Sequence, residues 1–187
     1  WPHSYRTTAS SRRSRRERTT ILGTRGAVLV DSMIVIEAVR TGCWNAITGQ
    51  RHVVTVGECA EELGWGDSSA RGYVRVSEQD IARARVEPVP EQAAAAFRLT
   101  YPAADGLDPG ERDLLALAST RADEFQLCSC DKAAVVAAHA LGWLDRVISL
   151  EALAAVVGVR PNPGLKAQFT EGRMGQWRTS LLLGGVI

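Results

Sequence analysis

The stretch Gly26-Ala27-Val28-Leu29-Val30-Asp31-Ser32 decides the fold. Four apolar residues stand in a row, without the alternation of a strand that has one wet face, so the segment reads as a strand buried on both faces. It stops on an acid and a hydroxyl, and Ser32 to Arg40 continues as a helix. Outward from this seed the same pattern recurs. His52 to Val56, Phe125 to Ser129 and Arg146 to Ser149 read as strands, each followed by a helix, over Glu58 to Leu63, Lys132 to Leu141 and Glu151 to Val157. Trp44 to Ile47 reads as a second short helix, Gly64 to Gly72 as a loop and Tyr73 to Val76 as a short edge strand. Beyond Pro88 and Pro90 lies a mostly helical middle in which Glu91 to Leu99 is Ala-biased. A further helix opens with Asp108 at its N-cap, Pro109 at the first helical position and Glu111 three residues after the cap, as in a capping box. Strands alternating with helices predict an α/β fold, a mainly parallel sheet of four or five strands covered on both faces.

The net charge of +1 hides an asymmetry. Residues 1–25 carry seven arginines against one acid, Glu17. Residues 26–159 carry 11 basic and 19 acidic residues, and residues 160–187 carry four basic residues against Glu171. The chain therefore divides into a basic tail over 1–25, an α/β domain over 26–159 and a C-terminal extension over 160–187, with a helix expected at Leu165 to Met174. An acidic body between basic ends can bind cations centrally and polyanions peripherally. The tail lacks helical or strand periodicity and is expected to be disordered. It opens on Trp1 rather than Met, as a fragment, a processed chain or an extended gene model would. Ser11-Arg12-Arg13 is not followed by the apolar stretch of a twin-arginine signal. No apolar run approaches the roughly 20 residues of a membrane-spanning helix. Cys43, Cys59, Cys128 and Cys130 are expected as reduced thiols; Cys128 and Cys130 are spaced too closely for a usual zinc site. A cytoplasmic protein with no membrane partner is the expectation.

In open parallel sheets ligands bind beyond the carboxyl ends of the strands. Asp31 and Asp131 terminate two strands, and residues in the first turn of each following helix point to the same end. On the helix from Glu58, the residues Cys59, Ala60 and Leu63 define the apolar face, Glu58 and Glu62 form a stripe beside it, and Glu61 turns to solvent. On the helix from Pro109, Leu114, Leu115, Leu117 and Ala118 define the core face. Glu111 falls within that arc at the open turn, and Asp113 on its edge. Each acid also has a plain structural role: Asp31 and Asp131 as helix caps, Glu111 in a capping box, Glu62 as a solvated charge. Jointly they converge on one end of one sheet, where unneutralised carboxylates raise one another's pKa. Mg²⁺ or Mn²⁺, which takes carboxylate oxygens and keeps several waters, is the economical compensation. Such a site can activate water and clamp a phosphodiester for in-line displacement.

Val30-Asp31-Ser32, the acid before Leu63 in Gly57-Glu58-Cys59-Ala60-Glu61-Glu62-Leu63, the run Leu107-Asp108-Pro109-Gly110-Glu111-Arg112-Asp113-Leu114, and Leu127-Cys128-Ser129-Cys130-Asp131-Lys132 together resemble the PIN-domain family, in the subgroup near VapC-type toxins. The resemblance covers Gly26 to Val159. It implies a three-layer α/β/α sandwich and a magnesium- or manganese-dependent endoribonuclease. Carried over by position, the family's acids fall on Asp31, Glu62, Glu111 or Asp113, and Asp131, with Asp31, Glu111 and Asp131 as metal ligands. Glu111 matches the family's Gly-Glu pair and Asp113 its Asp-x-x-apolar spacing; helix geometry favours Glu111. Ser32 would orient substrate phosphate or cap its helix, and Ser129 stands as the threonine counterpart. One departure is Cys130, where the subgroup often has the first of two aspartates. The resemblance further implies RNA as substrate, a cognate antitoxin partner for members that are toxins, and a homodimer.

Other chemistries find less support. His3, His52 and His139 are scattered, and none stands with a Ser or Cys as a triad would require. There is no phosphate-binding glycine loop. A phosphoacceptor at Asp31 would want an acidic pair upstream, which is absent. The rival from another class is a non-catalytic PIN-fold module that binds RNA or a protein. Trp65 is a candidate for stacking on an RNA base, Trp44 and Trp143 are expected as anchors, and the basic tail is expected to add salt-sensitive RNA affinity.

Overall fold

In chain order the elements are β1 (Ala27–Val30), α1 (Ser32–Arg40), α2 (Trp44–Gln50), β2 (His52–Val56), α3 (Gly57–Gly64), α4 (Glu78–Ile81), β3 (Arg85–Glu87), α5 (Glu91–Thr100), α6 (Pro109–Ser119), β4 (Phe125–Cys128), α7 (Lys132–Ala140), β5 (Val147–Ile148), α8 (Leu150–Val156) and α9 (Glu171–Leu182). They come from a computed structural model that describes residues 26–64, 69 and 72–187. The basic segment 1–25 and Trp65 lie outside the described residues.

β1 is buried at every position, and its side chains divide between two cores: Ala27 and Leu29 face one, Val28 and Val30 the other. That division makes the sheet the middle of three layers. All strand pairs are parallel, in the order β3-β2-β1-β4-β5, with Leu29 level with Val54 on one side and Leu127 on the other. Phe97 of α5, Leu115 of α6, Val135 of α7 and Trp177 of α9 cover one face; Ile34 of α1, Ile47 of α2 and Leu153 of α8 cover the other. The fold is thus an α/β/α sandwich. From β1 the chain moves outward to β2 and β3, then returns to place β4 on the far side of β1. The crevice between the ends of β1 and β4 is the point where strand order reverses, the usual ligand position in such sheets. Among the described residues no helix is long and apolar enough to cross a membrane.

Two elements differ from expectation. Tyr73 to Val76 is not a strand; Val76 packs into the same core as Leu63, and the edge strand is Arg85–Glu87, paired with Val54 to Val56. An edge strand pairs on one side only and here leaves Val86 exposed, so it carries little of the apolar alternation that marks a strand. In the C-terminal segment the helix is Glu171–Leu182 rather than Leu165 to Met174, because Thr170 provides its cap and accepts from the Arg173 N–H. Ahead of it Ala167–Phe169 forms a single 3₁₀ turn.

This segment belongs to both cores. Phe169 is buried with α1 and α8, and Met174, Trp177 and Leu181 are buried on the opposite face. The buried Glu37 latches it, accepting from the Arg40 guanidinium at 2.7 and 2.6 Å and from the Lys166 N–H at 2.8 Å. Arg40 also donates to the Gly164 carbonyl.

Candidate functional site

Val30 and Cys128 are level in adjacent strands, so the turns that follow them deliver Asp31 and Asp131 to one crevice. A cleft of about 470 Å³ opens there, and its acids are Asp31, Glu62, Asp108, Glu111 and Asp131. Ser32, Met33, Cys59, Gly110, Cys130 and Gln168 complete the lining. Four of the five acids expected from sequence therefore meet. Asp113 does not line the cleft, and Glu58, on the same stripe as Glu62, is exposed outside it.

Each acid is held by local chemistry. Asp31 caps α1, its Oδ1 accepting from the Ile34 N–H at 2.8 Å. Asp131 caps α7 in the same way, accepting from the Ala133 N–H at 2.6 Å. Both residues thus fill the structural role open to them in the sequence, and each still lines the cleft. Ser129 is buried between them: its Oγ accepts from the Asp131 N–H at 3.1 Å, and its side chain hydrogen-bonds Asp31. Ser32 is no cap; its hydroxyl donates to Glu62 Oε2 at 2.5 Å. Glu111 does not complete a capping box, because Asp108 makes no side-chain cap bond. It hydrogen-bonds Asp131 instead.

The helices that carry Glu62 and Glu111 approach closely because residue 110 is glycine. A Cβ there would lie 2.9 Å from Cys59 Sγ and 3.3 Å from Glu62 Oε1.

The electrostatics follow from burial and crowding. Burial pushes the Asp31 carboxyl up to about 6, opposed by its hydrogen bonds from Ser129 and Ile34 and reinforced by Asp131 and Glu62. Glu111 is raised well above the usual carboxylate range by burial, by the charge of Asp131 and by their shared hydrogen bond, with Asp31 and Asp108 adding to it. At neutral pH Glu111 therefore tends to keep its proton. Cys130 adds no charge of its own, since burial and the neighbouring aspartates keep it a thiol.

These donors suit a hard cation. They are oxygens, they crowd enough to raise one another's pKa, and the retained proton marks where positive charge is wanted. Among the described residues no three His, Cys, Asp or Glu side chains stand together as a ready cage. Carboxylate oxygens are the donors that Mg²⁺ or Mn²⁺ takes, with waters completing the shell.

Sequence reasoning missed Gln168, Met33 and the cleft role of Asp108. Asp108 was legible only as a cap, Met33 gives no signal, and Gln168 arrives from the C-terminal segment, held by the buried Phe169 next to it.

Fold and site together define a doubly wound α/β sandwich with a carboxylate cleft at its switch point. No family model, curated protein or solved structure matches the chain.

Proposed function

We propose that the protein is a divalent-metal-dependent endoribonuclease of the PIN type. The observation that carries this reading is the convergence of Asp31, Glu62, Glu111 and Asp131, from four separate segments, on one cleft at the carboxyl ends of β1 and β4. Asp31, Glu111 and Asp131 would hold the cation, which would supply charge neutralisation at the phosphodiester and lower the pKa of water. Asp31 and Asp131 are fixed by the backbone N–H groups they cap, so they need little reorganisation. Glu111 would have to give up its proton to serve as a ligand. Glu62, oriented by Ser32 through Oε2, keeps Oε1 free to accept a proton from the attacking water. The amide of Gln168 stands at the cleft wall, where it can hydrogen-bond RNA. A cytoplasmic location, a cognate antitoxin and a homodimer belong to the same reading.

The test is cleavage of a structured RNA in Mg²⁺ or Mn²⁺ by the wild type and by Asp31→Asn, with metal titration by calorimetry alongside. Loss of both cleavage and metal binding in a folded mutant is expected. Full activity in that mutant would sink the proposal. The cap bonds of Asp31 and Asp131 favour a second reading, a non-catalytic module that binds RNA or a protein. A wild type that binds neither cation would select it.

A further inference from the structure

At the other end of the sheet, Arg51 precedes β2 and is buried, with 7% of its surface exposed. Its Nη2 donates to Gln126 Oε1 at 2.8 Å, a neutral amide. Its Nε and Nη1 are also buried and find no acceptor among the described residues, and no ion pair there involves Arg51. Burial alone pulls its pKa below the ordinary guanidinium value. A buried guanidinium without a counter-charge is costly to fold around, and its planar array of donors matches an oxyanion.

Arg51 lines a cavity of about 200 Å³ together with Gly26, Phe125, Gln126 and Arg146. Arg146 is held there by stacking, its Cζ lying 4.6 Å from the centre of the Phe125 ring. Two exposed carboxylates, Glu124 and Asp145, also line the cavity, yet neither pairs with either arginine. Their charge disfavours a polyanion such as a nucleic-acid backbone, and the cavity volume limits the ligand to something small. The segment preceding Gly26 holds seven arginines and one acid, so it is poorly suited to supply the missing negative charge.

We infer that this cavity at the amino ends of the strands is a binding site for a small oxyanion, a phosphate or carboxylate group received by Arg51 and Arg146. The site is separate from the carboxylate cleft and does not depend on the nuclease reading.

The experiment is thermal unfolding of the full chain, freed of metal on a chelating resin, at fixed ionic strength, with chloride replaced stepwise by inorganic phosphate or, in a second arm, by acetate. Proton–nitrogen spectra of the arginine Nε–H groups are recorded in parallel. A saturable rise in Tm is expected, with movement of one arginine Nε–H resonance. Arg51→Gln and Arg146→Gln should each weaken the apparent affinity at least tenfold, without lowering the Tm of the unliganded protein in the Arg51 variant. A response to phosphate alone identifies a phosphoryl group; a response to both anions identifies a carboxylate-sized oxyanion. If Arg51→Gln fails to fold, Arg146→Gln and the wild-type spectra decide. A rise that does not saturate, or is equal in wild type and variants with the resonances unmoved, overturns the site.

Discussion

At the carboxyl ends of β1 and β4 the sheet gathers acids, while at the amino ends of β2 and β5 it buries a guanidinium. Both arrangements follow from a parallel topology. Every helix that follows a strand begins at the carboxyl end, so Asp31 and Asp131 meet free N–H groups, which favour negative charge. Helices finish at the opposite end, and Arg51 follows the last turn of α2, where carbonyls favour positive charge. These helix-end effects are worth about 0.3–1 kcal/mol each and do not cover the cost of burying a charge. What closes the account differs at the two ends. A buried carboxyl can retain a proton, as Glu111 does, whereas a guanidinium does not lose one in this environment. The acidic end can thus shed part of its charge through Glu111, whereas Arg51 keeps its own in full.

The largest expected effect breaks the acidic end alone. Asp31→Asn should lower RNA cleavage by about a hundredfold or more, because even residues supporting a metal ligand typically cost 10–100-fold; initial rates in Mg²⁺ measure it. The anion response at Arg51 should be unchanged.

Next comes pH. Asp31 and Glu111 bind protons more tightly folded than unfolded, so their contribution to stability is fully present below the unfolded values, 3.8 and 4.5, and is lost as pH rises. For Asp31, raised to about 6, the loss is about 3 kcal/mol and is complete above that pH, while Glu111 extends the decline through neutrality. Urea unfolding in EDTA should show this fall between pH 4 and 8, and Mn²⁺ should flatten it. Arg51 stays charged throughout. Glu37, whose carboxyl is lowered against burial by its bonds from Arg40 and Lys166, works in the opposite sense near pH 4.5, so the fall above that range reports the acidic end. A slope untouched by Mn²⁺ would count against metal binding.

Gly110→Ala should cost about 1–3 kcal/mol in urea unfolding by forcing α6 away from Cys59 and Glu62. Cleavage should fall with it. The smallest change is Ser32→Ala, about 1 kcal/mol from one hydrogen bond, with a loss of cleavage under tenfold because Glu62 loses its orientation but remains in place.

Much of the acidic end was legible because it is built from local signals. A strand buried on both faces ends visibly, so Asp31 and Asp131 could be placed from sequence; the stripe of α3 separated Glu62 from Glu61, though not from Glu58. Glu111 and Asp113 are two residues apart on one helix; helix geometry favoured Glu111, and the packing of α6 against α3 brings it to the cleft. The expected capping box is absent because Asp108 makes no side-chain cap bond, and Glu111 engages Asp131, a tertiary contact no local pattern contains. β3 was lost for the reason edge strands usually are, three residues with a half-wet surface. Arg51 was invisible: in sequence it is a polar residue between a helix and a strand, and its burial depends on Gln126 and the neighbouring strand ends.

The latch at Glu37 has a practical meaning for anyone dividing this chain. Cutting after Val159, where the sequence motifs stop, would not trim an appendage. It would strip Phe169 from one core and Met174, Trp177 and Leu181 from the other, remove Gln168 from the cleft wall, and leave the buried Glu37 without the Lys166 N–H. A shortened protein would be expected to aggregate on expression, and a loss of any activity in it would say nothing about the cleft residues.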